Sequence, residues 1–366
     1  MQIYLYILAA VLIFGAIMPQ KGPNRKYYII LMTVIHTFVC AFRYEHLTGD
    51  LLKYHWEFLT MSHYGWLDEG VLHEGRNAGF YMLMKLVNDV TGADFQVLLI
   101  VIAVVTHIIL AYVVYRYSPA PWMSYLVWNC MALYIFGFNA IKQALAMSFV
   151  MLAFVGILEK RPRFFVGMMA VAGFIHMPSL IFLPAYWLAQ RPVNGKMLLL
   201  YLCLGAMMYV FKNQFVAFIK TFYYEDDEVM VFSGEIGNRF VMLLGFTLFG
   251  ILFTGFDNKN FEKLFHLMAV AAILQLLAGF DNIFTRLTDY YFQFSVLYIP
   301  MTFYPAERDG RKSLRPLVPF NRRSLKVLSG FIVVFLLWFY YKYNIGYTVD
   351  PSETHVLNFR FMWDVQ

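Results

Sequence analysis

Apolar residues run in long uninterrupted blocks, at about positions 3–18, 27–42, 95–115, 120–138, 140–158, 197–211, 240–255, 264–280, 288–305 and 327–343. A helix of roughly 20 residues bridges the ~30 Å hydrocarbon core of a bilayer, so each block predicts a membrane helix. The stretch from Phe164 to Ala189 has basic residues beyond both ends and is interrupted by His176, Met177 and Pro178. It predicts two short helices meeting at the histidine, for about twelve in total. The expected fold class is an all-α polytopic integral membrane protein, a single transmembrane domain over residues 1–366.

The largest polar stretch is 43–94. In TGDLLKYHWEF, Asp50 is placed to cap a helix on which Asp50, Tyr54 and Glu57 share a polar face, while Leu51, Leu52, Trp56 and Leu59 form an apolar one. Such a helix lies along a membrane interface. Further on, Asn77 is placed to cap GFYMLMKLVNDV, which is too short to cross. The two surface helices predict a roof over something beneath them.

Composition agrees: of 366 residues, 60% are hydrophobic and only 14% charged, with a mean hydropathy of +0.58. A soluble domain carries about 25% charged residues, so disordered, collagenous and soluble-enzyme classes are excluded. The net charge of +6 resolves once charges are sorted by side. No basic residue precedes the first helix, and Lys21, Arg25 and Lys26 follow it, which places the N-terminus outside. Alternating sides from there gives the cytoplasmic segments 18 of the 29 Lys and Arg and 5 of the 23 acids, a net of +13 against −7 outside. Both termini come out external, 306–326 becomes a basic cytoplasmic loop that signals orientation, and 344–366 an external tail. The basic character therefore belongs to topology, and no nucleic-acid partner is implied. Cys40, Cys130 and Cys203 sit in apolar runs and are expected to be buried thiols. No Gly-rich phosphate loop, HExxH or paired CxxC occurs, so ATP-driven transport and zinc hydrolysis lack support.

Candidate chemistry gathers at the outer boundary. In FNAIKQALAMSF, Asn139, Lys142, Gln143 and Ala146 share one face at a helix start, where free amides and a lysine make an anion site. The alternative is a lysine snorkelling to headgroups. His176, at the apex of the short pair, is either a packing residue or a proton acceptor with a suitable pKa of about 6.5. Arg239 follows GEIGN. DNIFTRLTDYYF carries Asp281, Arg286 and Asp289, and Arg286 could simply pair with Asp289 at i+3. The acidic run Tyr223 to Glu228 reads as a loop tip, and the aromatic tail as a sugar-stacking surface or a plug. Arg43, Lys142, Arg239 and Arg286 thus cluster with Asp50, Gln143 and His176 on the face where positive charge is disfavoured. A di-anionic lipid headgroup such as a polyprenyl diphosphate explains that placement, and a base beside a diphosphate clamp is equipment for glycosyl transfer.

Several pieces occur in order from position 42 to 292: FRYEHLTGDLLKYHWEF, NAGFYMLMKLV, IKQALAMSF, FIHMPSLIFLP and FTRLTDYYF. In these the chain resembles the EpsG family of bacterial polysaccharide polymerases, Wzy-type proteins. The resemblance implies an enzyme of the bacterial cytoplasmic membrane, independent of metal and cofactor, that links undecaprenyl-diphosphate-bound oligosaccharide repeats on the outer face. Implied partners are that lipid-linked oligosaccharide, membrane lipid and a chain-length regulator of the pathway. On this reading Arg43, Lys142, Arg239 and Arg286 bind diphosphate. His176 or Asp50 activates the acceptor hydroxyl, and Gln143 and Tyr54 orient the substrate. Two departures stand out: Lys142 replaces the usual arginine of the basic-Gln motif, and no aromatic directly follows Asp50. A flippase would need internal repeats and helices broken at the midplane, which the sequence does not display. A glycan ligase shares the chemistry.

Overall fold

The computed structural model describes residues 2–45, 47–72, 76–223, 237–256, 258–279, 282–304, 322–342 and 359–363. Among them the regular structure is helical, apart from one isolated antiparallel bridge between Arg43 and Phe361. The chain divides into two compact units, residues 1–180 with 325–366, and residues 181–324.

The first unit contains α1 (Gln2–Ile17), α2 (Arg25–Ala41), α3 (Gly49–Thr60), α4 (Glu69–Leu72), α5 (Ala78–Thr91), α6 (Phe95–Tyr117), α7 (Pro121–Cys130), α8 (Leu133–Asn139), α9 (Ile141–Leu158) and α10 (Pro162–Ile175). In the second are α11 (Ala185–Leu188), α12 (Gly195–Val210), α13 (Lys212–Tyr223), α14 (Asn238–Phe249), α15 (Lys259–Gln275), α16 (Asn282–Phe292) and α17 (Ser295–Phe303). Most of α18 (Arg322–Tyr340) returns to the first unit.

Each apolar block is helical, but two are broken. The block at 120–138 becomes α7 and α8 because Ala132 takes a left-handed backbone, φ 59°. The block at 288–305 is split between α16 and α17 at Gln293 and Phe294. Both breaks lie among buried residues, the setting in which interrupted backbone is tolerated at membrane depth. Among the described residues, only α6 and α9 are long and apolar enough to cross a bilayer by length and composition. Six other apolar helices, among them α1, α10, α12 and Val327–Tyr340, are shorter.

In the first unit α2 packs on α6, α6 on α9, and α9 on α10. The last contact is close because position 156 is glycine: a Cβ there would lie 2.9 Å from the backbone nitrogen of Phe165. The predicted surface helices exist as α3 and α5, tied together by Asn88 Nδ2 donating to the Phe58 carbonyl at 2.8 Å. In the second unit α14 ends in a π-helical turn, Gly250–Thr254. Here Tyr298 donates its hydroxyl to the Phe246 carbonyl at 3.1 Å and fills the space a side chain at Gly250 would need.

Some expectations change. Thr48, not Asp50, caps α3: its hydroxyl accepts from the Leu51 N–H at 3.2 Å. Asn77 makes no side-chain cap to α5. Cys40 and Cys130 are buried free thiols, but Cys203 is exposed on an apolar helix. Residues 306–321 of the basic loop, 224–228 of the acidic run, Asp281, and the tail apart from 359–363 lie outside the described residues.

Candidate functional site

The first unit builds its polar group from α3, α5 and α9. Because Ala140 leaves helical geometry, α8 ends at Asn139 and a new helix starts at Ile141, which puts Lys142 and Gln143 in its first turn. Lys142 Nζ projects among three rings, 5.7 Å from the centroid of Tyr54, 5.9 Å from Phe80 and 5.4 Å from Tyr81. Tyr54 and Phe80 meet edge to face at 5.5 Å. Such a box favours a cation by about 0.5–2 kcal/mol, rising as water is excluded. Glu57 and Asp50 add negative charge near the ammonium and Lys53 adds a positive one. Glu57 in turn accepts a 3.5 Å hydrogen bond from the Tyr81 hydroxyl and pairs with Lys53 at 3.9 Å. Burial first, then the Glu57 carboxylate, push the Tyr81 phenol above its ordinary pKa, so it stays a donor. Asp50 sits in the first turn of α3, where the helix's free amides stabilise a carboxylate. Gln143 is buried beside Lys142. Asn139 Oδ1 is buried and has no partner among the described residues.

His176 closes α10 with an extended backbone, φ −150° and ψ 101°, and a 3₁₀ stretch, Met177–Phe182, follows. The turn is pinned from α5's side: Asn77, in the left-handed region at φ 59°, accepts the Met177 N–H on its Oδ1 at 3.0 Å. Gly79, two residues on, lets Phe174 approach so closely that a Cβ would stand 2.4 Å from the ring. One short helix, α5, therefore both supplies two walls of the lysine box and anchors the histidine turn. Asp50, Tyr54, Lys142, Gln143 and His176 all lie on the elements that α5 joins.

Arg43 is placed differently. It is 1% exposed, its Nη1 donates to the Cys40 carbonyl, and its guanidinium lies 5.4 Å from the Phe138 centroid. The segment 359–363 pairs with the backbone on either side of it. The arginine expected to face a headgroup is enclosed within the first unit.

In the second unit the expected partnership is exchanged. Asp289 is buried and ion-paired with Arg239, whose guanidinium also sits 4.0 Å from the Phe292 centroid. Arg239 at the start of α14 thereby takes the partner that i+3 spacing offered to Arg286, which stays exposed on α16 although its charge still reaches Asp289.

Several residues escaped the sequence reading. Phe80 and Tyr81, the box walls, were visible only as a GFY tripeptide at a helix start. A buried polar seam joins α2, α6, α7 and α8. His36 contacts the Met32 carbonyl at 2.7 Å and Asn129 Nδ2 at 2.9 Å, and its own carbonyl accepts from the Tyr134 hydroxyl at 2.9 Å. The His107 ring lies 5.7 Å from that of Tyr134, with Nε2 buried and without a partner among the described residues. Histidines inside apolar blocks were the available signal. Among the described residues no cluster of His, Cys, Asp and Glu forms a metal-binding group.

A family model described as the EpsG family matches residues 26–349. No curated protein and no solved structure matches the chain.

Proposed function

The chain belongs to the EpsG family, and from that membership we propose that it is a polysaccharide polymerase joining undecaprenyl-diphosphate-linked oligosaccharide repeats at the outer face of the bacterial cytoplasmic membrane. The family carries a polymerase-like role in polysaccharide biosynthesis and is associated with membranes, in keeping with the apolar helices.

The observation that carries it is the convergence of α3, α9 and α10 on α5. An ammonium at a helix start, two carboxylates and an imidazole are brought to elements sharing one short helix. In the proposed reaction an acceptor hydroxyl of one repeat attacks the anomeric carbon of the growing chain. The bond from that carbon to the diphosphate oxygen breaks, and the hydroxyl proton passes to His176 or to a carboxylate of α3. Lys142, enclosed by its aromatic walls, neutralises the departing lipid diphosphate, a charge-assisted contact contributing about 1.5–3 kcal/mol. Tyr54 and Gln143 orient the sugar.

The test is reconstitution in liposomes with lipid-linked repeats already on the outer leaflet. Elongation to longer glycans is expected. Movement of repeats across the bilayer without elongation would replace the polymerase with a transporter, and transfer to a non-repeat acceptor would replace it with a ligase.

A further inference from the structure

Arg43 carries a charge that the polar group around Lys142 does not use. It is fully buried, and among the described residues no carboxylate pairs with it. Its contacts include the Cys40 carbonyl, Cys40 Sγ at 3.3 Å and the face of Phe138, while Nε has no acceptor among the described residues. Tyr4, Tyr134, Cys40 and His107 lie close enough to feel its charge, and none of these is a carboxylate. A guanidinium in apolar surroundings without a counter-ion is costly, and that cost is met where an anion comes to it.

Beside this guanidinium lies the short segment 359–363, whose rings also pack on Phe38 and Phe42. Arg43 and Phe361 face each other across an isolated bridge, flanked by Tyr44 N–H donating to the Arg360 carbonyl at 2.8 Å and Met362 N–H donating to the Phe42 carbonyl at 3.0 Å. The Phe359 ring rests on Tyr4 at 5.8 Å and Phe138 at 6.0 Å, the rings beside Arg43. Phe361 stacks on Trp363 at 4.7 Å. Two backbone hydrogen bonds and ring contacts hold the strap. No ion pair or disulfide among the described residues fastens it.

We propose that Arg43 is the inner contact of a phosphate-class anion site that the C-terminal segment 359–363 closes like a strap, and that the strap must peel from the end of α2 to admit the diphosphate. The proposal rests on the polymerase reading for the identity of that anion. The orphan Nε–H, on the edge of a planar guanidinium whose Nη1 is engaged by Cys40, offers a donor suited to a phosphate oxygen. The strap keeps the arginine from anionic ligands until a substrate competes for the same edge.

The experiment is calorimetric titration of the purified full chain in detergent micelles with inorganic pyrophosphate, repeated with geranyl diphosphate. Deleting residues 359–366, or the full-length double change Phe359→Ser with Phe361→Ser, is expected to tighten pyrophosphate binding at least tenfold. Arg43→Gln in the same background is expected to erase the gain. Oxidised Tyr44→Cys with Arg360→Cys, which staples the strap, should lose binding that reductant restores. Equal gains for both ligands support a site reading the diphosphate alone, and a larger gain for geranyl diphosphate supports a site at the lipid edge. Unchanged affinity in both released forms, or a gain that survives Arg43→Gln, overturns the proposal. Elongation is scored separately. Strap-dependent binding without elongation removes the polymerase reading and leaves the site, whereas elongation without strap-dependent binding removes only the strap.

Discussion

Asn77 is the residue through which α5 holds the His176 turn, and its contribution divides into two parts that three substitutions separate. The side chain accepts the Met177 N–H at 3.0 Å, a bond at the surface worth about 0.5–1 kcal/mol. The backbone sits at φ 59°, where asparagine is tolerated and an alanine costs about 1–2 kcal/mol. Asn77→Ala therefore loses both parts, about 1.5–3 kcal/mol. Asn77→Gly keeps the backbone region and loses mainly the bond, while Asn77→Asp keeps an acceptor at the same reach and loses little. For a unit of about 220 residues, 1 kcal/mol moves the melting temperature by roughly 2–4 °C. Thermal unfolding of the purified protein in detergent should rank Asp above Gly above Ala, with Ala about 3–12 °C below the parent. Polymer made in cells at matched expression should fall in the same order, because the displaced turn carries the proposed base. A glycine variant as damaged as the alanine one would show that backbone strain is not part of the cost. An alanine variant equal to the parent in both assays would refute the anchoring role altogether.

Three further outcomes follow from the geometry. Gly156→Ala should destabilise by about 1–3 kcal/mol in the same unfolding assay, because the new methyl meets the Phe165 backbone nitrogen, which only a shift of α10 can relieve. Lys142→Met should lower the elongation rate in liposomes about 10- to 150-fold, the equivalent of one charge-assisted contact, while Lys142→Arg should retain most of it. Asp289→Ala, which leaves Arg239 without its acid, should cost about 2–4 kcal/mol, whereas Arg239→Met with Asp289→Leu should cost clearly less. A double-mutant cycle by chemical unfolding measures the difference.

Most of the helices were legible from one-dimensional information, since an apolar block long enough to bury its own backbone bonds has little choice of structure in lipid. The surface helices α3 and α5 and the turn at His176 were visible for the same reason: each is an amphipathic or interrupted segment whose local pattern is its instruction. Partnerships were not legible. Spacing on a helix offered Asp289 to Arg286, yet Arg239 from another helix takes it. Asn77 looked like a cap and instead reaches a backbone amide 100 positions away. The breaks at Ala132 and at Gln293 and Phe294 left no mark on hydropathy, because buried surroundings, not composition, permit interrupted backbone there. Arg43 shows the division most plainly. Its charge and its position at a helix end can be read from the sequence, but burial depends on a segment more than 300 residues later folding back over it. The sequence by itself determined which segments are apolar and helical and which residues carry the charges between them. Only the tertiary structure decided which acid, ring or amide each of them meets, because such contacts depend on how helices distant in sequence pack.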